Sequence, residues 1–318
     1  MDTAMPSHAT TTSYSLNIEP MALQASLGRA DTPLILDVRR SLKFDASARI
    51  VAGAVRCAPE DVEAFARQHA PRDVVVYCVY GHNVSADAAA QLRAAGWNAR
   101  ALAGGIEGGE DDVDTADNIA RWRSQAVSTI NKRADWGVTG QAASRWVTRA
   151  QPKIDRIACP WLIRRFIDPS AEFFYVPTEQ VLSEAKRMNA VAFDIPGAPV
   201  SHNADQCTFD ALLQGFDLRH GAFDLLARIV RGADTDCGLA GESAGLLAIS
   251  LGLSRLHAGN DHAMLAAAMP MYDALYAWCQ DKVQGRAEIH RWKQPSLSDA
   301  ALRRLAAARK IQEDKGAL

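Results

Sequence analysis

The stretch Val74-Val75-Val76-Tyr77-Cys78-Val79-Tyr80-Gly81-His82-Asn83-Val84-Ser85 decides the reading of the first half of this chain. β-Branched residues run up to a cysteine, a glycine-containing loop follows, and the alanine-rich segment from Ser85 to Ala95 reads as a helix closed by Gly96. A loop that curls around a strand-end thiol turns its backbone N–H groups inward as an anion nest, and the helix behind it adds the positive end of its dipole. Both favour the thiolate, so the pattern points to Cys78 as a nucleophile able to attack sulfane sulfur and hold it as a persulfide. Gly81 supplies the backbone freedom a tight cradle needs, and Ser85 is placed to cap the helix. The competing reading of such a cysteine is a buried core thiol at a strand end.

Working outward, Pro33-Leu34-Ile35-Leu36-Asp37-Val38-Arg39 reads as a second buried strand, Pro59 to Ala66 as a helix, and Asn98 to Leu102 as a segment leading to Gly104-Gly105-Ile106. Strands alternating with helices predict an α/β unit built on a parallel sheet. Beyond it the charge switches sign. Residues 107–117 hold six acidic residues and no basic one, which predicts a solvated loop. Between Lys132 and Arg165, eight Lys and Arg residues face only Asp135 and Asp155, with Trp136, Trp146 and Trp161 interleaved. Three readings fit that segment: linker helices packing two units together, an oxyanion-binding surface carried by Arg156, Arg164 and Arg165, or a base-stacking surface.

The rest reads as a mostly helical α+β unit. Ile154, Ile157, Ala158, Trp161, Leu162 and Phe166 follow helical spacing up to Asp168-Pro169, with a possible restart at Pro160 beside Cys159. Strands are expected at 172–177 and 191–196, and helices at 208–214, 221–231, 241–251 and 261–283. His202, Cys207 and Asp210 lie in a loop leading into a helix that Thr208 is placed to cap. Their spacing suits a soft or borderline metal ion, with Asp234, His257, Asp261 or His262 able to complete the set. The alternative is a hydrogen-bonded turn around a buried thiol, and a thiol at a helix entry is also a candidate reactive group. Leu297, Leu302, Leu305 and Ile311 predict a C-terminal amphipathic helix with a solvated basic face, and residues 1–13 a frayed end.

The first unit, over about 18–110, resembles a rhodanese domain through Leu36-Asp37-Val38-Arg39, the Cys78–Asn83 loop and Leu102-Ala103-Gly104-Gly105-Ile106. The resemblance implies that Cys78 forms the persulfide and that Val79, Tyr80, Gly81, His82, Asn83, Val84 and Ser85 cradle the substrate. It also implies that Asp37 is the family's strand-end aspartate, holding strand ends and loops by hydrogen bonds. Sulfur transfer of this kind requires no cofactor. Its partners are a small-molecule sulfur donor and a thiol acceptor. Two departures stand out. Asn83 occupies a position that is often arginine, so the loop lacks a cation for a sulfonate or phosphate, and phosphoester hydrolysis is disfavoured; His82 offers only part-time charge there, or is a plain exposed loop histidine. A tryptophan that often closes the Gly-Gly-Ile segment is also missing at its usual place.

The second half, over about 150–282, resembles the chromate-resistance domain found at the C-terminus of chromate-responsive regulators and of rhodanese fusions. The residues that carry this are Lys153-Ile154-Asp155-Arg156-Ile157-Ala158, Trp161 to Asp168, Phe193-Asp194, Ser201-His202 through Cys207-Thr208-Phe209-Asp210, Ile229 to Asp234, and Tyr272 to Tyr276. Asp210 stands where glutamate is common. Those regulators carry a winged-helix DNA-binding half, which a rhodanese replaces here, so regulation of transcription is disfavoured. The resemblance links the chain to chromate or heavy-metal stress, with chromate or a chromium–thiol complex as a possible partner and a metal ion in this half as a possible cofactor. The expected division is 14–125 for the rhodanese-like domain, 126–152 for junction helices, 153–284 for the chromate-resistance domain and 285–318 for a helical tail.

Composition is consistent with two domains. The 318 residues carry 35 Lys and Arg against 37 Asp and Glu, and 48% are hydrophobic. A net charge of −2 argues against a dedicated nucleic-acid binder, and no apolar run approaches the ~20 residues of a membrane span. The six cysteines form no CxxC pair, which excludes a zinc ribbon or disulfide scaffold and, with no export signal, predicts reduced thiols in the cytoplasm. Of these, Cys78 is the expected nucleophile, Cys207 and Cys159 are candidates, and Cys57, Cys237 and Cys279 are expected to have no role. Two functions follow. One is sulfur transfer through Cys78; the other is oxyanion or metal capture in the second half, with the rhodanese half as a sensor or adaptor. A metalloenzyme whose product the rhodanese consumes is a third.

Overall fold

Leu34↔Val74 through Asp37↔Tyr77 are paired side by side in parallel, which places Asp37 and Tyr77 at one end of the sheet, next to Cys78. This computed structural model describes residues 15–286 apart from 204, 219 and 236–239. The five-stranded parallel sheet runs β1-β6-β5-β2-β4, with β1 Asn17–Ile18, β2 Leu34–Asp37, β4 Ala54–Arg56, β5 Asp73–Tyr77 and β6 Asn98–Leu102. Its helices are α1 Pro20–Ser26, α2 Ser41–Ala46, α3 Val62–Gln68, α4 Asn83–Ala94 and α5 Ala116–Ser124. Alternation along the strands sorts the side chains. Leu36, Val74, Val76 and Cys78 pack with Val62, Ala66, Ala88, Ala89 and Leu92 of α3 and α4. Ile35, Val75, Tyr77 and Leu102 join the opposite core, which continues into Trp161, Phe166 and the helices of the second half. The expected α/β reading of the first half therefore holds.

The second half is mostly helical around a small parallel sheet, β10-β8-β9, with β8 Arg145–Arg149, β9 Glu172–Val176 and β10 Val191–Ala192. Its helices are α6 Asp155–Leu162, α7 Val181–Met188, α8 Thr208–Gly215, α9 Gly221–Asp234, α10 Ser243–Leu256 and α11 Asp261–Val283. Pro160 does not restart α6; the helix passes through it and then widens into a π turn at Ile163–Ile167. The junction helices expected over 126–152 are only in part helical. A short 3-10 turn spans Ala134–Trp136, β7 Thr129–Asn131 pairs antiparallel with β3 Arg49–Val51, and β8 is the central strand of the second sheet, upstream of the boundary expected at 153. Arg145-Trp146-Val147-Thr148-Arg149 is aromatic and β-branched between charged ends, a strand composition that the flanking arginines masked. No helix among the described residues is long and apolar enough to cross a membrane. The frayed end expected at 1–13, Cys237 and the helix expected beyond 286 lie outside the described residues.

Candidate functional site

β5 ends at Tyr77 and delivers Cys78 to the mouth of the sheet, where the residue is 5% exposed. The loop then turns at Gly81, at φ +81°, and α4 begins at Asn83 with His82 as its N-cap. Ser85 is therefore in the first turn of α4 and is not the cap. Its hydroxyl donates to the His82 carbonyl at 3.0 Å and lies 3.2 Å from Cys78 Sγ, so it faces the thiol directly. The positive end of the α4 dipole points at the same place.

The loop is backed by Gly104-Gly105-Ile106. The Ile106 N–H donates to the Cys78 carbonyl at 3.1 Å and the Glu107 N–H to the Val79 carbonyl at 3.0 Å. A Cβ on Gly105 would sit 2.5 Å from Gly81 N and Val79 O, and one on Gly81 would sit 2.7 Å from the amides of Gly104 and Gly105. Two backbone segments thus touch with no room for a side chain, which is why both contact positions are glycine. The tryptophan missing after this segment comes from α5 instead. Trp122 lies against Gly104 and Gly109, and its Nε1 donates to Glu19 at 3.2 Å.

Asp37 does not enter the thiol's cavity. It is 1% exposed and accepts hydrogen bonds from Arg39 Nη2 at 2.6 Å and Tyr77 Oη at 2.7 Å, while the Val51 N–H donates to Tyr77 Oη at 3.1 Å. The expected strand-end tie is present as a buried ion pair. Burial, followed by the charge of Asp37, pushes the Tyr77 phenol well above its ordinary pKa, so it stays a donor.

A cavity of about 310 Å³ opens over Cys78, lined by Arg39, Arg40, Lys43, Cys78, Val79, Tyr80, His82, Asn83 and Val84. Arg39 is committed to Asp37, but Arg40 and Lys43 bring two cations from α2 and its approach to the mouth. The positive charge absent from Asn83 is therefore supplied across the cavity, on a short helix that charge patterning alone did not flag. The acidic segment expected to be a free solvated loop folds back here. His82 Nε2 lies 2.9 Å from Asp114 Oδ2, and Nδ1 lies 3.4 Å from Glu110 Oε2.

The second constellation differs from the predicted His202, Cys207 and Asp210. His202 Nε2 lies 3.1 Å from Asp194 Oδ1, 3.4 Å from Asp155 Oδ2 and 3.4 Å from Asp234 Oδ2. One ligand atom each from Asp155, Asp194 and His202 falls within a sphere suited to a metal ion. Asp155 and Asp194 are buried, and Asp234 is the one expected auxiliary residue that joins them. Cys207 and Asp210 instead close the start of α8. Cys207 is its N-cap, the Cys207 N–H donates to Asp210 Oδ2 at 3.0 Å, and Asp210 also faces Arg231. Thr208 does not cap the helix; its hydroxyl donates to Asp194 Oδ1 at 3.0 Å. His257, Asp261 and His262 are elsewhere: His257 C-caps α10, Asp261 accepts from the Gln151 N–H, and His262 packs edge-on against Tyr175.

Electrostatics follow burial. The Asp155 carboxylate beside His202 pushes the imidazole up to about 9, against the effect of burial. Burial, then Asp155 and Asp194, push Asp234 up to about 6. Burial also drives both the Cys207 and Cys159 thiols far above their usual range, with the Asp155 charge adding to it, so neither is the low-pKa thiol that its helix-entry position suggested. Cys57 and Cys279 are buried free thiols raised by burial to about 11 and about 12.

The three expected oxyanion arginines do not form one group: Arg156 lies apart from Arg164 and Arg165. Arg156 pairs with Asp194 at 3.3 Å, 15% exposed. Arg165 makes a two-pronged contact with Asp273, through Nε and Nη2 at 2.8 Å each. Arg164 stacks over Phe173 at 5.1 Å and reaches the Ala171 carbonyl at 3.5 Å.

Comparison with known proteins agrees with this division. Residues 20–112 match the rhodanese-like domain family, and residues 146–279 match the family of the ChrB C-terminal domain. Protein ChrB of Cupriavidus metallidurans is 33% identical over 133 residues, which is 42% of this chain and 40% of that protein's length. Among solved structures, a rhodanese homologue from Thermus thermophilus is 29% identical, covering 28% of this chain and 95% of that one at a TM-score of 0.23. The rhodanese-like domain of an Anabaena protein is 24% identical, covering 36% and 79% at a TM-score of 0.28. The chain carries a rhodanese-like domain over 20–112 joined to a ChrB C-terminal domain over 146–279.

Proposed function

We propose that the protein is a sulfurtransferase that carries sulfane sulfur on Cys78. The observation that carries this reading is the thiol at the floor of a 310 Å³ cavity, between the start of α4 and the two cations Arg40 and Lys43. An anionic donor such as thiosulfate enters with its sulfonate toward those cations. The Cys78 thiolate attacks the outer sulfur, the S–S bond to Cys78 forms, and the donor's S–S bond breaks with its electron pair leaving on sulfite. An acceptor thiolate then attacks the outer sulfur of the persulfide, taking that atom and returning Cys78 as thiolate. The positive end of the α4 dipole and the loop N–H groups favour the charge on sulfur through both steps. No cofactor is needed. The reaction belongs in a reducing compartment such as the cytoplasm, where thiol acceptors are abundant, and the fused ChrB domain links it to resistance against chromate or related metal stress. The test is cyanolysis after thiosulfate loading: wild type yields thiocyanate and a +32 Da adduct on Cys78, and Cys78→Ser yields neither. Thiocyanate from Cys78→Ser at the wild-type level would refute it.

A second reading, metal capture by the ChrB half, is favoured by one specific feature. Three carboxylate oxygens from separate segments lie within 3.4 Å of His202 Nε2, and those of Asp155 and Asp194 are further held by the Thr208 N–H and hydroxyl. A mixed nitrogen and carboxylate set of this kind suits a borderline divalent ion such as Zn²⁺ or Mn²⁺. Dialysis of the full chain against Zn²⁺ or Mn²⁺, followed by elemental analysis, should give about one ion per chain, lost in His202→Ala. Equal metal content in both proteins would remove this reading and leave the first untouched.

A further inference from the structure

A second polar cavity, of about 170 Å³, lies in the seam between the two halves and brings four arginines together. Arg29 and Arg72 come from the rhodanese-like half, and Arg164 and Arg165 from the ChrB half; Thr32, Pro33, Gly53 and Pro169 complete the wall. The seam is closely built. The Gly53 N–H donates to the Phe166 carbonyl at 2.8 Å, and Gly28 packs directly on the Phe166 ring. Two of the four cations are already neutralised, Arg29 by Asp31 and Arg165 by Asp273, both through two-pronged contacts. Arg72 has no hydrogen bond or ion pair among the described residues, and Arg164 has only the long contact to the Ala171 carbonyl and its stacking on Phe173. The cavity therefore holds two uncompensated guanidinium charges, one from each half of the chain.

We infer that this seam binds a doubly charged tetrahedral oxyanion of the sulfate and chromate class, held between Arg72 and Arg164. The charge balances, since two unpaired guanidinium groups match one dianion. Guanidinium forks also suit tetrahedral oxygens, and the cavity has room for such an ion. The site is distinct from the cavity of Cys78. Arg72 immediately precedes β5 and Cys78 immediately follows it, so the two lie at opposite ends of that strand, roughly 20 Å apart at ~3.3 Å per residue. Because each half contributes one unpaired cation, occupancy bridges the two halves. The inference places the oxyanion chemistry suggested by Arg164 and Arg165 at the seam, without Arg156, and it does not depend on the sulfur-transfer reading.

The test is equilibrium dialysis of the full chain against radiolabelled sulfate, and separately chromate, at low ionic strength. Wild type should bind one ion per chain saturably. Arg72→Ala and Arg164→Ala should each weaken binding about tenfold, as expected for loss of one charge-assisted contact of an exposed kind. Arg72→Lys, which keeps the charge at an exposed position and does not threaten folding, should recover part of it. Cys78→Ser should bind as wild type does. Absence of saturable binding in wild type would overturn the inference. So would binding indifferent to both arginine substitutions, or binding lost in Cys78→Ser, since the last puts the ion in the thiol's cavity. Cyanolysis of the same variants reports separately on sulfur transfer, so failure of one reading is not failure of the other.

Discussion

The contact between Gly81 and Gly105 can be measured by adding one methyl group. Gly105→Ala places a Cβ 2.5 Å from Gly81 N, 2.5 Å from Val79 O and 2.6 Å from Cys78 O, on a backbone at φ +60°. All three neighbours are backbone atoms and cannot rotate away. Gly137 is the control. It also has a left-handed backbone, at φ +65°, but a Cβ there meets nothing within 4 Å. Gly137→Ala should therefore show only conformational strain, ~1–2 kcal/mol, partly offset by ~0.4–1 kcal/mol of reduced unfolded-state entropy. Gly105→Ala adds overpacking of about 1–3 kcal/mol. The difference between the two variants isolates the clash. At roughly 2–4 °C per kcal/mol for a chain of this size, Gly105→Ala should melt about 2–12 °C below Gly137→Ala. The clash also has a catalytic consequence, because it can be relieved only by moving the loop that carries the cradle. Cyanolysis by folded Gly105→Ala should fall by an order of magnitude or more while Gly137→Ala stays at the wild-type rate. Equal melting temperatures and equal rates for the two variants would show that the two loops do not touch.

Three further outcomes follow from the same geometry. Asp37→Ala leaves Arg39 buried without its counter-charge, its Nη2 held only by the Arg49 carbonyl, and should cost about 3–5 kcal/mol in thermal or urea unfolding; a cost under 1 kcal/mol would show that the ion pair is not buried. The raised imidazole of His202 contributes stability that is fully present below the unfolded value near ~6.5 and lost as pH rises through about 9, so wild-type stability should fall across that window by ~1 kcal/mol after allowance for solvent screening, and His202→Gln should flatten the fall. Trp122→Ala removes the wall behind Gly104 and Gly109 and should raise hydrogen exchange at the Gly109 amide, which donates to the Gly104 carbonyl at 2.7 Å, without changing exchange in β5.

The Cys78 loop and the first sheet were legible because they rest on local signals. β-Branched runs, one cysteine at a strand end and a glycine in the loop all fall within a dozen residues. The partners of that cysteine were not legible, because they arrive from distant segments. Lys43 sits on a six-residue helix too short to show periodicity, Arg40 precedes that helix as its N-cap, and Trp122 reaches the Gly-Gly segment only through the fold. The same limit explains the second site. His202 was identifiable as a ligand-type residue, but its sequence neighbours Cys207 and Asp210 were the natural companions on spacing alone. Those two are consumed by the start of α8, where a backbone N–H with no intrahelical acceptor needs one. The residues that do face His202 come from the N-terminus of α6, the segment just after β10 and the last turn of α9; Asp234 had been named as able to complete the set, while Asp155 and Asp194 had been visible only as parts of motifs of their own. Arginines behave alike. Arg156 lies within ten residues of Arg164 and Arg165, yet it turns to Asp194, while Arg164 shares a cavity with Arg72, which lies in the other half of the chain. Spacing along the chain therefore identified the chemistry available at each position. The grouping into sites was decided by which distant segments the fold brings together, and that is a property of the packed structure.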